Sequence, residues 1–143
     1  MLDGIRSLIR LQLLMIVVFV LGKMVLRPAV LKRDAPTWLD IFVLSFPNFC
    51  EAIVGAATVT GLLLMFNARF VSAKRRLSER VVYAWAIVFT GIYVILQEFK
   101  VHNLGGANIY DPYDILFSLI GLVVAWFIIN RLRPSFSIVS ART

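Results

Sequence analysis

The sequence predicts an all-α membrane protein with four transmembrane helices. Three observations support this fold class: 60% of the 143 residues are hydrophobic, only 16% are charged, and the mean hydropathy is +0.86. A soluble chain of this length would expose much of its apolar surface to water, whereas a bilayer buries that surface. Four apolar segments, each close to the roughly 20 residues that a membrane helix needs, indicate a single transmembrane domain over residues 1–143.

The first predicted span covers residues 8–26. Arg6 and Arg10 precede its uninterrupted apolar run, as in a signal peptide, but no small-residue cleavage site follows, so we expect an uncleaved span. Lys23 lies near its end, where the long stem of a lysine can carry the charge to the interface. Arg27 and Pro28 follow, and a proline at this point is expected to end the helix.

The second span is predicted at residues 45–66, after a short interfacial segment at residues 38–44. Together these two pieces are too long for one straight crossing, and Pro47 interrupts them. Because proline is tolerated in the first turn of a helix, Ser45 is the expected N-cap. Glu51 would then lie about 5–10 Å into the helix, at about 1.5 Å per residue. The alternative is one long helix kinked at Pro47, which would place Glu51 near the middle of the bilayer.

The third and fourth spans are predicted at residues 81–99 and 112–130. Lysine and arginine are unevenly divided between the connections that these four spans create. Ten of them fall on the side of both termini and five on the other side. Since positive charge is retained in the cytoplasm, we expect the N and C termini to be cytoplasmic.

Polar residues gather where the second span starts, the third ends and the fourth starts, which the predicted topology places on one outer side. A carboxylate at the mouth of a membrane span is energetically costly and is therefore a site candidate. On each of these helices, small residues recur at helical spacing on the same face as the carboxylate. Because such stripes of small residues let membrane helices pack closely, they predict that the acids face the bundle interior. The candidate ligand-binding residues are Asn48, Glu51, Gln97, Glu98, Asp111, Asp114 and Ser118.

Several of these acids also have a structural interpretation, and both interpretations stay open. Asp111 is a good N-cap because a proline follows it, and Asp114 would lie in the first turn, where the helix dipole favours negative charge. Glu98 can be an interfacial acid beside a neighbouring lysine. Glu51 is the hardest to explain structurally, because it lies deepest in its span.

The sequence contains no catalytic signature. There is no G-x-S-x-G motif, no H-E-x-x-H motif and no phosphate-binding glycine loop. With one cysteine and one histidine, neither an intramolecular disulfide nor a zinc cluster is expected. We therefore expect a protein that is not an enzyme and uses no cofactor and no metal. The net charge of +7 is split among short segments between apolar runs, which favours membrane topology over nucleic-acid binding.

An acid ends the third span, a polar loop follows, and the pattern D-x-x-D-x-x-x-polar-x-x-G opens the fourth. The residues are Glu98, Asp111, Asp114, Ser118 and Gly121. This arrangement, over about the last third of the chain, resembles the VanZ-like family of small bacterial membrane proteins. The family's pattern usually has a glutamine after the glutamate, an arginine before the first aspartate and an asparagine where Ser118 stands, and this chain differs at each of these points.

The resemblance implies a multi-pass protein of the bacterial cytoplasmic (inner) membrane that is linked to the cell envelope. The founding member of the family is associated with resistance to teicoplanin, a glycopeptide antibiotic. Membrane lipid is the expected partner, and a lipid-linked glycan or glycopeptide is a further candidate.

Three functions remain as alternatives. The one that we favour is an envelope protein whose outer-leaflet carboxylate pocket binds a polar headgroup or a lipid-linked glycan. The second is a subunit or stabiliser of a larger membrane complex, in which the acids pair with basic residues of another membrane protein. The third is a small proton-coupled transporter in which Glu51 is the deep acid that exchanges a proton for the substrate. Since four helices enclose little volume, its partner would be a second copy in a homodimer.

Overall fold

The computed structural model describes residues 3–32, 36–98 and 111–136, and for Asp3 and Glu98 it describes the backbone only. Within these residues every regular element is helical and no strand occurs. The elements are α1 (Asp3–Leu21), a π-helical turn (Gly22–Leu26), α2 (Arg27–Leu31), α3 (Thr37–Arg69), a 3₁₀ turn (Ala73–Arg75), α4 (Glu79–Glu98) and α5 (Pro112–Leu132).

Four helical segments are long and apolar enough to cross a membrane, which confirms the predicted fold class. They are Gly4–Leu31, Thr37–Arg69, Glu79–Gln97 and Pro112–Leu132. Their outward faces carry large exposed hydrophobic side chains, as lipid-facing surfaces do. The protein therefore has the architecture of a multi-pass membrane protein.

Helix α3 is the centre of the bundle, because α1, α4 and α5 all pack against it and α4 also packs against α5. Its buried face is rich in small side chains, among them Cys50, Ala52, Ala56 and Ala57, each at most 1% exposed. Small residues let the backbones of membrane helices approach closely, and dispersion contacts then hold the helices together. The packing of α3 fixes the positions of the other three spans.

The first and the last residues that the structure describes lie at the same end of the bundle, which we call the tail end. A Cβ atom added to Gly4 would lie 2.7 Å from the backbone nitrogen of Ser135, so the start of α1 touches the segment after α5. The opposite end, where α4 ends and α5 begins, is called the loop end. Four membrane crossings require the start of the first span and the end of the fourth to lie on the same side of the membrane. That this side is the cytoplasm stays a prediction.

The predicted end of the first span at Arg27 and Pro28 is wrong, because the helix continues to Leu31. The π-helical turn at Gly22–Leu26 ends two residues before Pro28, and the backbone N–H of Arg27 donates to the carbonyl of Gly22, five residues earlier. Since Pro28 has no N–H to donate and its ring crowds the preceding turn, the wider π turn allows the helix to pass it.

The predicted division of the second span at Ser45 is also wrong, because α3 is one helix of 33 residues with Pro47 inside it. Ser45 is not an N-cap: it is fully buried, and its hydroxyl has no hydrogen-bond partner in the described part of the chain. Phe42 and Phe46 stack with ring centroids 5.3 Å apart, and Phe46 and Phe49 stack at 5.7 Å. These contacts cross the proline and stabilise the helix on both sides of it, at the expense of a single backbone hydrogen bond.

Candidate functional site

Glu51 lies in a cleft between α1, α3 and α4, which we call the Glu51 cleft. The cavity has a volume of about 490 Å³. Apolar and aromatic side chains provide most of its lining, and Glu51 is the acidic residue among them. The lining residues are Ile16, Phe19, Val20, Cys50, Glu51, Val54, Gly55, Thr90, Tyr93, Val94 and Gln97.

The cleft exists because α1 and α4 both pack against α3 but make little contact with each other. On the α4 side, Gly55 allows close approach: an added Cβ would lie 3.1 Å from the methyl group of Thr90. On the α1 side, the amide of Gln12 donates to the hydroxyl of Thr58 at 2.8 Å, and that hydroxyl donates to the carbonyl of Val54. These contacts hold α1 and α4, the two walls of the cleft, against α3. Both contacts lie nearer the tail end than Glu51 does.

The level of Glu51 follows from its neighbours on α4 and α5. Gly55 faces Thr90, which lies about 12 Å from the end of α4 at about 1.5 Å per residue. An added Cβ on Gly121 would lie 2.6 Å from the carbonyl oxygen of Phe49, and Gly121 lies about 13 Å from the start of α5. Glu51 is one helical turn nearer the loop end than Gly55, which places it about 6 Å below the end of α4. It is level with Gly121, which contacts Phe49 and Ala52 on either side of it, and so lies about 13 Å below the start of α5.

Two charged residues lie close enough to Glu51 to act on it electrostatically, namely Lys23 and Asp114. The ammonium of Lys23 lies 5.3 Å from the centroid of the Phe19 ring, which itself lines the cleft. No described residue forms a hydrogen bond or an ion pair with the carboxylate of Glu51 itself, and the side chain is exposed to the cleft. Glu51 is thus a carboxylate in mainly apolar surroundings, beside a cavity that is large enough for a small ligand.

The structure brings together only some of the predicted site residues. Gln97 lines the cleft with Glu51, whereas Asn48, Asp114 and Ser118 do not line it. Asn48 and Asp114 are half-buried elsewhere on α3 and α5, and Ser118 is buried at 3% exposure. The side chain of Glu98 lies outside the described residues, so its place in the predicted carboxylate layer stays a prediction.

Asp111 has the structural role that its sequence context indicated. Its side chain accepts a hydrogen bond from the backbone N–H of Tyr113 at 2.9 Å, and Pro112 is the first residue of α5. This is the N-cap geometry that satisfies an otherwise unpaired backbone donor. Asp111 is therefore the N-cap of α5.

The small-residue stripes have different roles in different helices. In α5, Ser118, Gly121 and Ala125 are buried against α3, as predicted. In α3, the stripe that contains Glu51 and Gly55 forms the wall of the cleft rather than the centre of the core. The α5 stripe is therefore helix packing, and the α3 stripe carries the candidate site.

Sequence analysis did not identify the contribution of α1 to the site. Phe19 and Val20 line the cleft, and Lys23 acts on Glu51. Gln12 and Lys23, two polar residues within the first span, share one helical face with Ile16 and Phe19, and this pattern could have identified the face of α1 that lines the cleft. On α4, likewise, Thr90, Val94 and Gln97 recur at helical spacing, and this pattern could have identified one wall of the cleft.

No family model matches this chain, and neither a curated protein nor a solved structure matches it. The likeness to VanZ-like proteins therefore stays a prediction from the residues of the last third. Among the residues that it describes, the structure shows four helices that are long and apolar enough to span a membrane, and a cleft at mid-height of the central helix that contains Glu51.

Proposed function

We propose that this membrane protein binds an amphiphile with a positively charged headgroup in the Glu51 cleft. The headgroup lies at Glu51 and Gln97, and the apolar chain lies between α1 and α4. One observation carries the proposal: a carboxylate that forms no hydrogen bond or ion pair with any described residue opens into a cavity whose other walls are mainly apolar. A charge in such surroundings is costly unless something neutralises it, and intramembrane acids accordingly mark binding or transport sites.

The dimensions and lining of the cleft support an amphiphilic cation. Its volume of about 490 Å³ falls within the range of about 300–1,000 Å³ typical of small-molecule sites. Phe19 and Tyr93 offer aromatic faces to a cation, and Phe19 already contacts the ammonium of Lys23. Ile16, Val20 and Val94 offer a surface for an alkyl chain. An extended lipid-linked glycan would need more hydrogen-bonding groups than these walls provide, so a compact headgroup fits better.

A proton-coupled transporter is the second candidate. The position of Glu51, about 6–13 Å below the loop end of the neighbouring helices, favours it because a transport site must lie away from both surfaces. In that case Glu51 would exchange the bound cation for a proton. Proton uptake into vesicles that contain the protein, driven by an outward gradient of the cation, separates a transporter from a binding protein.

The cellular setting belongs to the same proposal. The resemblance to VanZ-like proteins supports a place in the bacterial cytoplasmic (inner) membrane and a role in the cell envelope without catalysis. A membrane lipid whose headgroup carries an amine is one ligand class with this chemistry. Association with another membrane protein is compatible with this binding role.

Equilibrium binding of radiolabelled decyltrimethylammonium, below its micelle concentration, tests the proposal. The protein is placed in nanodiscs of neutral lipid, and uptake by empty nanodiscs is subtracted. We expect Glu51→Gln to weaken binding by roughly tenfold or more, since the loss of one charge contact is worth about 1.4 kcal/mol. Asp40→Asn, which removes a carboxylate from α3 outside the cleft, is the matched control and should bind as the wild type does. Equal binding by Glu51→Gln and wild type would refute the proposal.

A further inference from the structure

We propose that a second site, at the tail end between α4 and α5, binds the headgroup of an anionic phospholipid. The site is a cavity of about 490 Å³, which we call the arginine pocket. It lies at the opposite end of the bundle from the mouth of the Glu51 cleft and shares no residue with it. The lining residues are Glu79, Arg80, Tyr83, Trp126, Asn130 and Arg133.

The end of α5 builds one wall of this pocket. Arg133 adopts a left-handed conformation with φ of 47°, and its backbone N–H donates to the carbonyl of Ile129. This αL cap ends the helix and turns the chain back towards the bundle. Pro134 is consequently buried, and its carbonyl oxygen accepts a hydrogen bond of 2.6 Å from the hydroxyl of Tyr83 on α4. The hydrogen bond fixes Arg133 beside the first turn of α4, where Arg80 lies.

The charges of the pocket favour an anion. Two guanidinium groups, those of Arg80 and Arg133, line it against the single carboxylate of Glu79. Both arginines are exposed, and no described carboxylate lies within ion-pair distance of either one. Guanidinium groups bind phosphate oxygens in a bidentate manner, which makes arginine well suited to a phosphate headgroup. The side chain of Asn130 donates to the carbonyl of Trp126 at 2.8 Å, so its own oxygen is left as an acceptor for a headgroup hydroxyl.

The surroundings of the pocket favour a lipid over a soluble anion. It lies where two membrane-spanning helices end, and Trp126 provides the aromatic side chain that is typical of a membrane interface. On the outer face of α5 beside it, Val123 and Phe127 are 55% and 68% exposed and offer an apolar path for an acyl chain. Basic pockets between membrane helices bind acidic lipid headgroups in this way.

Lipid titration followed by native mass spectrometry tests the site in the full-length protein. Delipidated protein in a neutral detergent is titrated with phosphatidylglycerol, and with phosphatidylcholine as the zwitterionic comparison. The test variant is Arg80→Gln with Arg133→Gln. The matched control is Arg75→Gln with Arg131→Gln, which removes the same charge from residues outside the pocket. Circular dichroism and gel filtration establish that each variant is folded.

We expect the pocket variant to bind phosphatidylglycerol roughly tenfold or more weakly than the wild type, and the control to stay within about threefold of it. Binding of phosphatidylcholine should be weaker than that of phosphatidylglycerol and unaffected by either variant. Equal losses in the two double variants, or no loss in either, would overturn the proposal. Displacement of the lipid by inorganic phosphate alone at millimolar concentration would also overturn it, in favour of a soluble anion.

Discussion

At the scale of single residues, Glu51 and Gly121 have the clearest roles. Glu51 lies in the cleft between α1, α3 and α4, and Gly121 lies where α5 contacts α3. Glu51 could be singled out from the sequence because an acid within an apolar run is costly wherever the helix starts. Asp114 was selected by the same argument, and Ser118 because it follows Asp114 at helical spacing. Neither residue lines the Glu51 cleft, although Asp114 is close enough to act on Glu51 electrostatically. Their stripe serves helix packing, and small residues on a membrane helix have the same pattern for either purpose.

Gly121 permits the contact between α5 and α3, so enlarging it should destabilise the protein. A Cβ at this position would lie 2.6 Å from the carbonyl oxygen of Phe49 and 3.2 Å from its Cα atom. Since backbone atoms cannot move aside, the two helices must separate. We expect Gly121→Ala to lower the free energy of unfolding by about 1–3 kcal/mol, measured by denaturation in detergent.

Gly91 on α4 offers a control for this substitution. A Cβ there would lie 3.4 Å from a methyl group of Leu122, which is ordinary van der Waals contact. Gly91→Ala should therefore leave stability unchanged or raise it slightly, because alanine favours the helix by about 1 kcal/mol over glycine. A Gly121→Ala protein as stable as Gly91→Ala would show that α3 and α5 are not packed as described.

At the scale of the elements, the number and type of the helices were predictable, whereas their ends were not. Long apolar runs predict membrane helices irrespective of what they pack against. Pro28 and Pro47 suggested helix ends because proline removes a backbone donor. In the structure, a π turn accommodates Pro28, and stacked phenylalanines stabilise α3 across Pro47. Such compensation depends on local geometry and packing, which cannot be read from the presence of a proline alone.

The hydrogen bond between α4 and the chain after α5 makes a prediction at this scale. Tyr83 is 2% exposed, and its hydroxyl donates to the carbonyl of Pro134. Tyr83→Phe leaves that buried carbonyl without its partner, so we expect a loss of about 1–3 kcal/mol in the free energy of unfolding. Trypsin cleavage after Arg131, in the last turn of α5, should also become faster in the variant, because the segment after the helix is then held less firmly. Tyr113→Phe, which changes a tyrosine that is 44% exposed, is the control and should alter neither quantity.

At the scale of the whole molecule, the contact between Gly4 and the segment after α5 places the start of α1 and the end of α5 together at the tail end. The connection between α3 and α4, which contains Lys74 and Arg75, lies at this tail end as well. The charge distribution predicts that the tail end is cytoplasmic. The Glu51 cleft would then open in the outer half of the membrane, and the arginine pocket would face the inner leaflet, where anionic headgroups attract basic residues.

Cysteine accessibility in intact cells tests this orientation. Cys50 is fully buried and is replaced by serine to give a background without thiols. We expect a cysteine at Ala73 to react with a membrane-impermeant maleimide only after the cells are permeabilised, and a cysteine at Thr37 to react in intact cells. The reverse pattern would invert the predicted topology, and labelling of both positions in intact cells would contradict a single orientation.

The most direct test of the central claim is to locate the bound cation by photolabelling. An alkyltrimethylammonium that carries a diazirine in its chain is bound to the protein in nanodiscs, irradiated, and mapped by peptide mass spectrometry. Binding in the Glu51 cleft predicts labels on α1 near Ile16 and Phe19 and on α4 near Val94, all lost in Glu51→Gln. Labels concentrated instead in the apolar groove near Phe66 and Trp85, which lacks an acid, and retained in Glu51→Gln, would contradict the claim.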